Sequence, residues 1–360
     1  SKATGVIILF VFLMATALAV AKLTTQKPKP QQTKKETPKS KDYSETRNAY
    51  FGNLHLHTGY SFDAFVGAIW HKPEDAYRYA KGEEIDFENE KIKLERPLDF
   101  MAITDHAEYL GAFPYYDVAV PNRISKRYKE LETGEKRLSY WQYMQSFASM
   151  YFNRPVEAFN FLPARQNAWS ELISLADKQY EPGEFTTFAG FEWTGHQLAF
   201  MYVRNRHRCV IFRSTKDLPK ETFSQFDSRD PEDLWAYLEN YRQKSGEDVI
   251  AIPHNMNISD GLTYSLQSRK RKDFDSNYVQ ARNFNEPVHE VVQKKGQSMA
   301  HPYLSPNDEF ADFHLYEKLF SPNLAHKPKD EKLPASYVRS GLKKGLEVRE
   351  EFGENPFKFG

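Results

Sequence analysis

Two observations predict that this sequence folds as an α/β protein of the barrel type. From Tyr50 onward, strand-like and helix-like segments alternate, the order that builds parallel sheets with crossover helices. Most of the metal-binding residue types at His55, His57, Asp63, His106, Glu192, His207 and His254 follow apolar, β-prone runs. In a parallel barrel, groups at the carboxyl ends of the strands gather in one pocket, however far apart they lie in sequence.

The amino end reads differently from the rest. Lys2 precedes an apolar run from Gly5 to Ala21, and Ala19-Val20-Ala21 offers the small residues of a cleavage site, so residues 1–21 are expected to be a signal peptide or an uncleaved membrane anchor. Residues 22–48 are rich in Lys, Pro and Thr with almost no large apolar side chains. That composition cannot bury enough surface to order itself, which predicts a disordered linker. Residues 49–360 then form one large domain.

Within that domain, Tyr50 to Leu56 is the first expected strand. A helix is expected to start at Pro73, with Glu74 and Asp75 in its first turn. Leu98 to Ile103 reads as a second strand that delivers Thr104-Asp105-His106. Residues 107–184 look like an aromatic-rich, helical insertion, its last part a helix with Trp169, Leu172, Ile173 and Ala176 on one face and Pro182-Gly183 past its end. Such an insertion on the catalytic face can be a lid or simply a packed helical pair.

Phe185 to Phe191 is the next strand and leads into Glu192, while Cys209 to Phe212 follows His207. Asp230 caps a helix with Pro231 in its first turn and Gly246 beyond its end. Val249 to Ile252 runs into Pro253-His254-Asn255, Val288 to Gln293 is a further strand, and Ser336 to Phe352 a further helix.

Composition removes several function classes. Basic and acidic residues balance at 49 each, so no global field favours nucleic acid or an anionic membrane surface. Membrane contact is expected only through an uncleaved leader. A single cysteine, Cys209, excludes an internal disulfide framework and any multi-cysteine zinc site, and its strand setting reads as a buried apolar side chain. Export without paired cysteines fits a periplasmic or secreted protein, anchored if the leader stays.

The 11 histidines are the stronger lead. In His55-Leu56-His57, both imidazoles fall on one side of a strand, where they can share a metal. Asp105 can orient its neighbour His106, or act as a catalytic acid or base. Glu192 ends an apolar run where an unpaired carboxylate would be costly, which suits a bridging, catalytic ligand. His207 and His254 add imidazoles suited to zinc, iron or manganese. The remaining histidines, His71, His196, His289, His301, His314 and His326, are assigned to packing or the surface, with His301 and Glu290 the first exceptions to consider. Arg204, Arg206 and Arg208 flank His207 and can hold an anion, although a solvated basic run is the plainer reading.

Together, His55-Leu56-His57-Thr58, Tyr60-Ser61-Phe62-Asp63, Ile103-Thr104-Asp105-His106 and Ile252-Pro253-His254-Asn255 resemble the polymerase-and-histidinol-phosphatase (PHP) superfamily. Arg96-Pro97-Leu98-Asp99-Phe100, Phe191-Glu192-Trp193-Thr194, Leu304-Ser305-Pro306-Asn307-Asp308-Glu309-Phe310 and Asn355-Pro356-Phe357-Lys358-Phe359-Gly360 resemble one exported branch, domain of unknown function 3604, over Tyr50 to Gly360. The resemblance implies a distorted (β/α)7 barrel that holds two or three divalent metal ions, Zn, Mn or Fe. It further implies His55 and His57 on one metal, Glu192 as a bridge, Asp63 and His106 on a second, and His207 with His254 on a third.

The expected activity is hydrolysis of a small anionic ester, a phosphomonoester or phosphodiester, by metal-activated water. A sulfate ester on the same site, as in an arylsulfatase, is an alternative that the sequence leaves open, and a tethered, non-catalytic binder of metal or ligand is another. The resemblance also implies an Asp-x-His segment after the terminal Asn-Pro-Phe-Lys-Phe-Gly. With Ser1 at its start and that segment lacking, the chain is expected to be a fragment whose barrel is incomplete at its C-terminus, inactive or metal-poor by itself.

Overall fold

A computed structural model describes residues 48–66, 69–87, 90–115, 148–199, 202–270, 272–319 and 326–357. The expected leader at 1–21, nearly all of the linker at 22–48 and residues 116–147 of the expected insertion lie outside them. Among the described residues no helix is long and apolar enough to cross a membrane.

A mixed α/β architecture surrounds one curled, half-barrel sheet. Its five strands are β1 (Gly52–Asn53), β2 (Phe100–Ile103), β3 (Thr186–Trp193), β4 (Arg208–Phe212) and β5 (Val249–Pro253), hydrogen-bonded in that order. β1, β2 and β3 run parallel, whereas β4 is antiparallel to both β3 and β5. An all-parallel sheet is therefore not what forms. The physical reason lies in the β3–β4 connection, where the little hairpin Gln197–Leu198/Val203–Arg204 turns the chain back. A parallel return would need a crossover, usually a helix.

Alternation along the strands sorts the side chains into two layers. Ala102, Cys209, Ile211 and Ile252 cluster on the inner face with Leu54, Phe188 and Ile250. The outer face presents Met101, Ile103, Ala189, Phe191, Trp193, Val210, Phe212, Val249 and Ala251 to the helices. Glu192 lies opposite Cys209 in the β3–β4 register, which puts it on the inner face, near the end of its strand. Two residues below it, Gly190 leaves room for the neighbouring strand: a Cβ there would meet the Val210 carbonyl oxygen at 2.8 Å.

The helices form as their caps and apolar faces dictate. α1 (Pro73–Ala80) and α2 (Leu162–Gln179) cover the outer face at β2 and β3. α3 (Pro231–Ser245) starts where the Asp230 side chain accepts the Glu232 backbone N–H and stops at Gly246 in the left-handed region. Its Leu234, Leu238 and Tyr241 join the outer core, where complete burial of one such side chain stabilises by roughly 1.5–3 kcal/mol. α4 (Ser276–Asn285) is capped by Asp275, and α5 (Val338–Phe352) is the last described helix. Of the strand expected over Val288 to Gln293, only Val292–Gln293 pairs, with Gly296–Gln297.

Candidate metal centre

Strand direction decides which rim carries the chemistry. The carboxyl ends of β1, β2, β3 and β5 share one rim, and because β4 is reversed, its amino end joins them. His55 and His57 follow β1, His106 follows β2, Glu192 is the penultimate residue of β3, and His254 follows β5. His207 precedes β4, so its reversal is what brings this imidazole to the same rim, and the His254 backbone N–H donates to the His207 carbonyl at 3.3 Å.

Glu192, 1 % exposed, is the hub. Its Oε2 lies 2.6 Å from His57 Nε2, 3.4 Å from His55 Nε2 and 3.7 Å from His106 Nε2. Its Oε1 is 2.9 Å from His254 Nε2 and in close contact with His207 Nδ1. Five imidazoles thus surround one buried carboxylate. Asp63 joins from the side, with Oδ1 2.9 Å from His57 Nδ1 and Oδ2 3.7 Å from His106 Nε2.

This donor set could hold metal ions. His57 Nε2 and Glu192 Oε2 are only 2.6 Å apart, yet neither atom has a hydrogen-bond partner among the described residues. Buried polar atoms are normally satisfied. Two donors that lie close without pointing at each other are arranged as ligands of a common ion would be. Three groups have ligand atoms close enough for such sharing: His55, Glu192, Cys209 and His254; His57, Asp63 and His106; and His106, Glu192 and His207. The grouping differs from the one that the resemblance implies, since His254 sides with His55, and His57 with Asp63 and His106.

Charge in the cluster follows from the same contacts. Burial opposes protonation of His106, but Glu192 and Asp63 override it and lift the imidazole to about 9. His57 is likewise raised despite its burial, by Asp63 and Glu192. Burial wins at His254, reinforced by the charge of His55, and holds it down at about 4. Glu192 is held well below the usual carboxylate range, because the surrounding imidazoles outweigh its burial.

The family described as Protein of unknown function (DUF3604) matches residues 44–360, a span that contains the whole sheet and every residue of this cluster. The chain belongs to the DUF3604 family. No curated protein and no solved structure matches it.

In this DUF3604 protein, all seven residues expected to bind metal, His55, His57, Asp63, His106, Glu192, His207 and His254, meet at one rim. Asp105 does not face the cluster. It is fully buried behind it, where its carboxylate accepts the Thr58 backbone N–H at 2.5 Å and the Thr58 hydroxyl at 2.7 Å. Burial lifts it to about 6 against those two bonds, and its contacts fix the loop that carries His55 and His57.

Other residues take roles that the sequence reading passed over. His196, assigned to packing or surface, brings its Nε2 to 2.9 Å from His207 Nε2. Burial and the nearby charges of His106 and Arg229 push it down to about 3, so it is neutral and can accept a proton bond from His207. Its place four residues after Glu192 was the available signal. Of the two exceptions considered, Glu290 belongs to the site, 2.6 Å from His55 Nδ1. His301 does not; it pairs with Glu317 at 3.2 Å. Cys209 is buried as expected and also lies beside the ligands, its Sγ 3.7 Å from His254 Nδ1.

The basic run flanking His207 is not a solvated one. Arg206 and Arg208 are 4 % and 2 % exposed. Arg208 pairs with Glu286 at 2.9 Å, while Arg206 Nε has no hydrogen-bond partner among the described residues.

Proposed function

We propose that the protein is an exported, metal-dependent hydrolase of the PHP type that cleaves small anionic phosphate esters with water as nucleophile, its half-barrel being part of a distorted (β/α)7 barrel. The observation that carries this reading is the convergence of five imidazoles on Glu192, with His57 Nε2 and Glu192 Oε2 close together and unsatisfied.

His55, His57, His106, His207 and His254 would hold the ions, with Asp63 and Glu192 as carboxylate ligands and Glu192 placed to bridge. Zinc, manganese or iron bound there supplies Lewis acidity, which lowers the pKa of a water and stabilises the charge that builds on the ester oxygens. Two divalent cations would outweigh the carboxylates of Asp63, Glu192 and Glu290, and the loaded pocket would attract an anionic substrate. Glu290 orients His55 from behind, the arrangement that fixes the tautomer of a ligating histidine.

The cluster's own hydroxyls and thiol are poorly suited to covalent catalysis. Ser61 donates to Asp63 at 2.7 Å and accepts the His106 backbone N–H at 3.1 Å. Burial and the charges of Glu192 and Glu290 raise the Cys209 thiol well above its ordinary range, away from the thiolate that attack requires. Attack by water suits the site better.

The test uses purified full-length protein, stripped with a chelator and then resupplied with manganese or zinc. Aryl phosphates, phosphodiesters and aryl sulfates are offered in turn. Metal-dependent release from the phosphates is the expected result. Turnover of aryl sulfates alone would replace the substrate assignment, and a protein that turns over nothing with metal restored would overturn catalysis.

A further inference from the structure

Glu108 is a fully buried carboxylate two residues beyond His106, and the proposed mechanism gives it nothing to do. Its Oε2 accepts from the Thr194 hydroxyl, and its Oε1 accepts the Gln225 backbone N–H at 2.6 Å. Thr194 Oγ1 in turn lies 2.8 Å from His106 Nδ1. Glu108 and Thr194 therefore form a chain that ends on the back of a candidate metal ligand.

We propose that Glu108 is a positioning residue which, through the Thr194 hydroxyl, fixes His106 with its proton on Nδ1 and its Nε2 lone pair turned to the metal centre. The inference rests on the metal reading of the site. The Thr194 hydroxyl donates to Glu108 Oε2, and a hydroxyl has a single proton to give. What Thr194 then offers His106 is a lone pair, and the imidazole has to present Nδ1–H to it. The other nitrogen faces Glu192 Oε2 and Asp63 Oδ2, each 3.7 Å away, and is the one whose lone pair a bound ion would take. These gaps are too long for hydrogen bonds and are compatible with ligands that each lie about 2 Å from a shared ion.

The anchoring at Glu108 makes the order of this chain hard to reverse. Gln225, whose backbone N–H holds Oε1, also accepts the His196 backbone N–H at 3.2 Å through its side-chain oxygen and donates to the Met150 carbonyl at 3.0 Å. In Glu108→Gln, the amide oxygen has to stay toward the Gln225 N–H, which turns the amide NH2 toward Thr194. The hydroxyl proton then swings to His106 Nδ1, and the imidazole must carry its hydrogen on Nε2, where the metal ligand lone pair is needed. One atom exchanged at Glu108 thus disables a ligand that it reaches through Thr194, its own Oε2 standing 3.7 Å from His106 Nδ1.

Calorimetric titration of the chelator-stripped protein with zinc tests this, with near-UV circular dichroism of the metal-free variants as the control for folding. Glu108→Gln and Thr194→Val are expected to weaken zinc binding by roughly 10–100-fold, the usual effect of losing the partner of a ligating histidine, and Thr194→Ser to restore the wild-type value. Should Glu108→Gln fail to fold, the Thr194→Val and Thr194→Ser pair decides alone. Zinc affinity in folded Thr194→Val equal to wild type overturns this proposal and leaves the metal reading standing. A wild-type protein that takes up no zinc overturns both.

Discussion

Glu290 Oε2 lies 2.6 Å from His55 Nδ1, across a separation of 235 residues. The short strand β1 ends before His55, so its imidazole depends on this distant contact for orientation. Glu290→Ala is expected to leave the fold intact and to weaken metal binding by roughly 10–100-fold. Equilibrium dialysis against zinc or manganese measures the change, and unaltered affinity would show that His55 needs no support.

Arg206 and Arg208 lie two residues apart and are both buried, yet their substitutions should differ in sign. Burial, reinforced by the charges of Arg208, Arg269 and Arg282, pushes Arg206 down to about 9. Removing a buried charge with no ion-pair partner among the described residues is expected to be neutral or stabilising by about 1 kcal/mol in Arg206→Met. Arg208→Met breaks the pair with Glu286 and should cost roughly 3 kcal/mol. Urea denaturation of the two variants compares them directly; equal destabilisation would contradict the assignment.

Glu286 makes stability fall in acid. Burial alone would raise its carboxyl, but Arg208 and Arg282 outweigh it and hold the group at about 2. A carboxylate depressed on folding contributes stability that is fully present above its unfolded value of 4.5, and the contribution is lost as pH falls from there toward 2. The size is on the order of 3 kcal/mol. Chemical denaturation of wild type and Glu286→Gln across that window should show a drop in the wild type that the variant lacks. Parallel profiles would mean that the ion pair does not set acid stability.

Much of this site was legible because its residue types are expensive where they stand. A carboxylate in the apolar run ending at Glu192, or paired imidazoles at His55 and His57, calls for a partner, and the structure brings those residues together. The cap of α3 was equally plain, with Asp230 before its first turn and Gly246 after its last. The reversal of β4 was harder, although the absence of a helical pattern between Glu192 and His207 already argued against a parallel crossover.

Glu290 was among the candidates, whereas Glu108 and His196 escaped for a different reason. Each acts through a contact made by a loop, and nothing in the local residue pattern states which loop will face which. Burial of Arg206 and Arg208 was missed on the same ground, since charge in a short run reads as solvated until Glu286, 78 residues beyond Arg208, is seen against it.

Glu192 is the residue on which the whole account turns. Elemental analysis of metal retained by the purified protein, alongside Glu192→Gln prepared identically, tests it most directly. Wild type should retain two or more divalent ions per chain, and the variant, having lost the carboxylate that His57, His207, His254 and His55 approach most closely, should retain one or none. Equal metal content in the two proteins, or none in either, would contradict a metal centre built around Glu192.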